Sequence, residues 1–229
     1  MDQDLAHLVA ANVAAVRAEI AAACARSGRD PSEVRLVAVT KSQGPEVLPA
    51  LAAAGVTDCG ENRWEHQEMM VQAGVPGLRF HAIGRLQGRQ LAKVAPWSSS
   101  IHSLAEADHL VRLEGVCARL ERRLEIFLQV NASGEAAKAG VEPHQVPALV
   151  DLARRQPHLA VVGLMTMAPA GATDDALQAC FGRLRDLARA EGLPRLSMGM
   201  SQDFAHAIAA GATDIRIGTR LFVRSDDHG

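Results

Sequence analysis

Tyrosine is absent from the 229-residue chain, which removes every mechanism that needs a phenol as acid or base. Lysine is scarce. Of 24 basic residues only Lys41, Lys93 and Lys138 are lysines, so any lysine chemistry has three candidates. The four cysteines, at 24, 59, 117 and 180, stand far apart and form no CxxC pair. Neither a zinc site nor a disulfide framework is indicated. The opening segment MDQDLAHLVAANVAAVRAEI carries acids and no basic n-region, so it does not read as a secretory signal. No stretch reads as long, apolar and charge-free enough to span a bilayer. With 26 acidic residues against the 24 basic ones the net charge is −2, which argues against a nucleic-acid binder that relies on bulk charge. What is present is an ordinary globular mixture, 48% hydrophobic and 22% charged, long enough to bury a sizeable core. The expectation is a reduced, cytoplasmic protein with no membrane and no nucleic-acid partner.

No linker, charge block or low-complexity segment divides the chain, so residues 1–229 are read as one domain. An alanine-rich amphipathic helix leads it over 1–28, stopped by Ser27-Gly28. From residue 34 onward, short apolar, β-branched runs alternate with helical patterns. Strands are predicted at 34–40, 56–60, 78–84, 98–104, 125–131, 159–167, 195–199 and 213–218. Helices are predicted at 44–54, 61–73, 86–95, 105–121, 143–155, 174–192 and 202–211. Strict alternation implies parallel strands with helical crossovers, and eight units in this length suggest a closed (β/α)₈ barrel over 34–222. The leading helix would supply the cover that a helix after the eighth strand normally gives. An open doubly wound sheet is the alternative, but no GxGxxG follows the first strand.

In either architecture, functional groups collect at the C-terminal ends of strands. Lys41 ends the run LVAVTK. A lysine at a dry barrel mouth has a depressed pKa and attacks aldehydes readily; the plainer alternative is that it begins a solvated loop. Asn62, in CGENRWE, either faces a ligand or caps a helix. His81, in FHAIGRLQ, is a strand-end histidine with no paired metal spacing. The segments LSMGMS (196–201) and IRIGT (215–219) carry Gly199 and Gly218, whose backbone N–H groups can approach an anion. Ser197, Ser201 and Thr219 add hydroxyls, and phosphate sites commonly follow strands seven and eight of such barrels. Arg216 lies inside the last strand, either facing a ligand or pairing internally, for instance with Asp214. A Schiff-base lysine on one side of the mouth and a phosphate cup on the other together suggest pyridoxal 5′-phosphate (PLP).

The segments LVAVTK, GENR, HAIGRLQ, QVNASGEAAKAG, VVGLMTM and LSMGMSQDFAHAIAAGATDIRIGTRLF, in this order, resemble the pyridoxal phosphate homeostasis protein family from about Val34 to Phe222. Its members are single-domain relatives of the alanine racemase N-terminal barrel. The resemblance implies a (β/α)₈ TIM-type barrel of PLP fold type III. It implies PLP held as an internal aldimine on Lys41, with its phosphate cradled by Ser197, Gly199, Met200, Ser201, Gly218 and Thr219. Arg216 would face the pyridine nitrogen, and Asn62 and His81 would line the cofactor. The chain departs from the pattern at Arg63, at Ala82 and at the pair Arg89-Gln90.

The implied function is a non-catalytic PLP-binding protein that buffers or delivers the cofactor, as a monomer or weak dimer in transient contact with PLP-dependent apo-enzymes. The alternative is a PLP-dependent amino-acid racemase; a further reading is a sugar-phosphate or nucleotide barrel enzyme in which Lys41 is incidental. Two-base racemisation needs a second acid/base opposite the lysine. The sequence runs only about seven residues past RLF, so the tyrosine-bearing β domain of alanine racemases is not expected. His81, His102 and Cys59 are the remaining candidates for that second base.

Overall fold

The computed structural model describes residues 2–135 and 138–223. Eight parallel strands close into a barrel in chain order: β1 (Arg35–Val39), β2 (Asp58–Glu61), β3 (Arg79–Ala82), β4 (Ser100–Leu104), β5 (Leu124–Gln129), β6 (Leu159–Met165), β7 (Arg195–Ser197) and β8 (Asp214–Ile217). Closure comes from the β1–β8 ladder, in register from Arg35↔Asp214 to Ala38↔Ile217. The open-sheet alternative is thereby excluded.

The helices are α1 (Gln3–Arg26), α2 (Leu48–Ala53), α3 (Trp64–Gln72), α4 (Leu91–Val94), α5 (Ala107–Arg119), α6 (Val146–Arg154), α7 (Asp174–Ala190) and α8 (Phe204–Ala209). Those at 44–54, 86–95 and 202–211 are shorter than their sequence patterns, because residues 45–47 and 88–90 wind as 3₁₀ turns and Gly211 follows the last one with φ 104°. The leading helix is capped by Asp2, whose side chain accepts the Asp4 N–H. It packs against α2 and α8, the slot a helix after β8 would fill. By length and composition α1 is apolar enough to cross a membrane, contrary to the sequence expectation. Its Val9, Val13, Val16, Ile20, Ala23 and Cys24 are buried in the core between barrel and helices.

The barrel interior is polar. The floor is a set of opposite charges at the starts of strands. Asp58 meets Arg79 at 2.8 Å, Asp214 meets Arg195 at 2.6 Å and Arg35 at 3.6 Å, and Arg195 also reaches Glu125 at 2.7 Å. Above it stand His81, Ser100, His102, Ser197 and Arg216, all buried, with the Phe127 ring stacked 4.2 Å from that of His102. Ladder neighbours β6 and β7 approach so closely at Gly163 that a Cβ there would lie 2.1 Å from the Arg195 carbonyl oxygen. Gly163→Ala is therefore expected to lower stability by about 1–3 kcal/mol through overpacking. The check is the midpoint of urea unfolding, which should fall at unchanged slope.

Candidate functional site at the barrel mouth

A cavity of about 510 Å³ opens at the C-terminal ends of the strands. Lys41, Asn62, Met200, Ser201, Arg216, Gly218 and Thr219 all line it, seven of the ten residues singled out in the sequence. Lys41 stands two residues past the end of β1 and is exposed, so the dry surroundings expected for it are not there. It has no ion-pair partner among the described residues. The other two lysines are engaged elsewhere: the Lys93 ammonium lies 4.1 Å from the centre of the Trp64 ring, and that of Lys138 lies 3.9 Å from Glu135. Ala136 and Ala137, within the SGEAAKAG segment, lie outside the described residues.

The loop that carries Lys41 is clamped on both sides. The Thr40 N–H donates to the Gly60 carbonyl at 3.2 Å, and the Thr40 hydroxyl donates to Glu61. The other Glu61 oxygen meets His66 Nδ1 at 2.7 Å, and His66 Nε2 donates to the Gln43 carbonyl at 2.9 Å. Burial pushes the Glu61 carboxyl up, against the opposing pull of Thr40 and His66. His66 Nε2 must carry a hydrogen to serve a carbonyl, so the Glu61–His66 bond needs one further proton on one of the two partners. Asn62, next in the chain, does not cap α3; Arg63 holds that position.

Three sequence-derived residues are not on the cavity. His81 is turned into the barrel interior, where Nε2 bonds Asp58 Oδ1 at 2.8 Å and Nδ1 bonds the Ser100 hydroxyl at 2.7 Å. Ser197 also faces inward, its Oγ 2.8 Å from His102 Nδ1 and 2.6 Å from Arg216 Nη1. Gly199 serves the turn: its φ is 95°, its carbonyl accepts the Arg216 N–H, and a Cβ would meet that of Ala207 at 2.7 Å. The reason is the two-residue period of a strand, which sends His81 and Ser197 to the inner face below the mouth. Of the departures, Arg63 and Arg89 are exposed and Gln90 half-buried, whereas Ala82 is buried in β3.

Arg216 is the singular group of the site. It is 4% exposed, yet it forms no ion pair among the described residues. Asp214 turns instead to Arg195, contrary to the internal pairing considered from sequence. Arg216 donates to two neutral acceptors, Ser197 Oγ and, at 2.9 Å, the Thr166 carbonyl. Burial lowers its pKa to about 10, partly offset by the more distant Asp203 and Asp214. A guanidinium has five N–H donors, so some remain for whatever occupies the cavity. Nearby, the backbone N–H groups of Ser201 and Thr219 find no acceptor among the described residues. The site is thus a lysine amine, a buried cation and free N–H donors around one space, suited to a ligand that is both anionic and electrophilic.

Residues 11–226 match the alanine racemase N-terminal domain family. A Pseudomonas aeruginosa relative called pyridoxal phosphate homeostasis protein is 38% identical over 222 residues, covering 95% of this chain and 96% of its own. A solved protein of unknown function from Bifidobacterium adolescentis is similar with a TM-score of 0.89 at 30% identity, over 97% of each chain. PipY of Synechococcus elongatus, solved with PLP bound, is similar with a TM-score of 0.80 at 31% identity, over 94% of this chain and 100% of that one.

Acid sensitivity follows from the interior groups. Burial drives the His102 pKa well below 6.5, helped by His81 and Arg216. For Asp58, burial acts upward, but hydrogen bonds from His81, Thr57 and Arg79 outweigh it and hold the carboxyl well below 3.8. Both groups bind protons more readily when unfolded, so stability falls as pH falls, below about 6.5 for His102 and below about 4 for Asp58. Glu61 and Asp203, raised by burial, act oppositely at carboxylate pH. The urea midpoint should drop between pH 7 and pH 5, and His102→Gln should flatten that slope. A midpoint unchanged over this range would contradict the assignment.

Proposed function

The chain belongs to the pyridoxal phosphate homeostasis protein family, and from that membership and its cavity we propose that it binds PLP through Lys41 and buffers or delivers it, without a turnover of its own. The observation that carries this reading is one cavity holding both the exposed Lys41 amine and a buried guanidinium with no carboxylate beside it among the described residues. When bound, PLP supplies an electrophilic aldehyde that an amine captures reversibly. Lys41 is the nucleophile within reach of the cavity. The Ser201 and Thr219 hydroxyls and N–H groups, with Gly218, would hold the phosphate. Arg216 would donate to the ring nitrogen and, remaining protonated at neutral pH, keep that nitrogen unprotonated.

Two features favour a carrier over a racemase. An unprotonated ring nitrogen is a weaker electron sink. Inversion at Cα also needs a second acid/base opposite the lysine. The candidates offered by the sequence do not reach the cavity: His81 and His102 are inside the barrel, and Cys59 is buried with its thiol pushed up to about 12. Among the described lining residues, Lys41 is the one ordinary general base. Its exposure suits transfer, since an acceptor can approach the bound cofactor from solvent. We place the protein in the cytoplasm, as a monomer or weak dimer meeting PLP-dependent apo-enzymes transiently.

Borohydride reduction with PLP present should fix one pyridoxyl group per chain, on the peptide containing Lys41; a label on Lys93 or Lys138 would overturn the assignment. Charge-assisted hydrogen bonds contribute about 1.5–3 kcal/mol each. Pyridoxal without phosphate, losing two of them, should bind roughly two to four powers of ten more weakly. The carrier reading is tested by proton exchange at Cα of D- and L-alanine in heavy water. Slow exchange without inversion is expected, and fast inversion would make the protein a racemase.

A further inference from the structure

Arg216 stands at one end of an unbroken hydrogen-bonded chain that crosses the barrel. Its Nη1 donates to Ser197 Oγ at 2.6 Å. Ser197 meets His102 Nδ1 at 2.8 Å, His102 Nε2 meets Ser100 Oγ at 2.8 Å, Ser100 meets His81 Nδ1 at 2.7 Å, and His81 Nε2 meets Asp58 Oδ1 at 2.8 Å. The chain passes from β8 through β7, β4 and β3 to β2. The step from Ser197 to His102 joins strands that are not neighbours, so it runs through the interior. All six members are buried.

Donor chemistry sets the direction of these bonds. A guanidinium only donates, so the Ser197 oxygen accepts from Arg216. The one acceptor within hydrogen-bond reach of the Ser197 hydroxyl hydrogen among the described residues is His102 Nδ1. His102 must then carry its hydrogen on Nε2 and donate to Ser100. Ser100 in turn donates to His81 Nδ1, and His81 donates from Nε2 to the Asp58 carboxylate, which at its lowered pKa only accepts. Reversing the inner links would leave the Ser197 hydrogen without an acceptor. Every link therefore turns its negative end toward the guanidinium, and the last one ends on a negative charge. Aligned bonds in a low-dielectric interior polarise one another, which stabilises a cation that has no adjacent carboxylate among the described residues.

We propose that Asp58, His81, Ser100, His102 and Ser197 are positioning residues for Arg216: a polarised chain, anchored at the barrel floor, holds the guanidinium in its orientation and compensates its charge at the mouth. None of the five except Asp58 carries a charge in this arrangement, and only Arg216 touches the cavity. The consequence for cofactor affinity rests on the PLP reading above, whereas the tautomers do not.

Two-bond ¹H–¹⁵N spectra of the full chain, labelled on histidine and with no PLP added, read the tautomers directly. The wild type should show His81 and His102 as Nε2–H imidazoles. Ser100→Ala removes the acceptor for the His102 Nε2–H and should move His102 toward the Nδ1–H form, whereas Ser100→Thr, which restores a hydroxyl, should not. PLP affinity should fall about tenfold in Ser100→Ala, the loss of roughly one hydrogen bond to a charged group felt at Arg216, and recover in Ser100→Thr. Ser197→Ala interrupts the chain at its other end and should weaken PLP at least as much. A wild-type His102 in the Nδ1–H or imidazolium form overturns the proposal. So does a Ser100→Ala protein whose His102 signals or PLP affinity equal those of the wild type. A wild type that binds no PLP defeats the functional reading and the affinity consequence, while its histidine spectrum still decides the direction of the chain.

Discussion

An eight-stranded barrel is narrow enough for side chains to fill it, and each polar group placed inside must find its partner inside. In this chain that requirement governs the whole interior. Arg35, Asp58, Arg79, Arg195 and Asp214 begin their strands and neutralise one another across the floor. His81, Ser100, His102 and Ser197 use up one another's hydrogen-bonding capacity above it. Arg216 is the member whose donors are not all consumed, and it is the member that borders the cavity. The recognition charge at the mouth is thus the unsatisfied remainder of an otherwise closed interior network.

The two sides of the mouth are built differently. On the β8 side, the Arg216 guanidinium is buried and held by two neutral acceptors from β7 and the β6 end. On the β1 side, Lys41 is exposed, and its surrounding loop rather than its side chain is held, through Thr40, Glu61, His66 and Gln43. A fixed group beneath and a solvent-accessible amine at the rim suit the binding of a small anionic aldehyde that stays open to solvent. Among the described residues the cavity lining offers Lys41 no opposing base, which is the same asymmetry expressed in proton chemistry.

Much of this was legible in the sequence. The runs LVAVT, EIFLQV and LAVVGLM, each closed by a turn or a helical pattern, mark buried strands because only an apolar, β-branched segment is comfortable between two packed layers. Strand ends point to the mouth in any parallel α/β architecture, so Lys41, Asn62, Ser201, Arg216, Gly218 and Thr219 could be placed at one site without coordinates. A signal for the interior network was present too: Ser100 and His102, Arg79 and His81, Arg195 and Ser197, and Asp214 and Arg216 alternate with apolar or small residues at a period of two. Such polar residues on the inner face of a strand are a cue that position at a strand end alone does not supply.

By itself the sequence determined the number and order of strands, the covering helix, and the residue types available for chemistry, since these follow from local periodicity and from what is missing, tyrosine above all. Tertiary structure alone decided which way each strand-end side chain points and which partner it finds. His81 and Ser197 were indistinguishable from cavity residues until barrel closure turned them inward, and Asp214 was a plausible mate for Arg216 until Arg195 was seen to take it. The physical reason is that a hydrogen bond between β4 and β7 depends on closure and shear, which bring together residues 95 positions apart and leave no trace in local spacing.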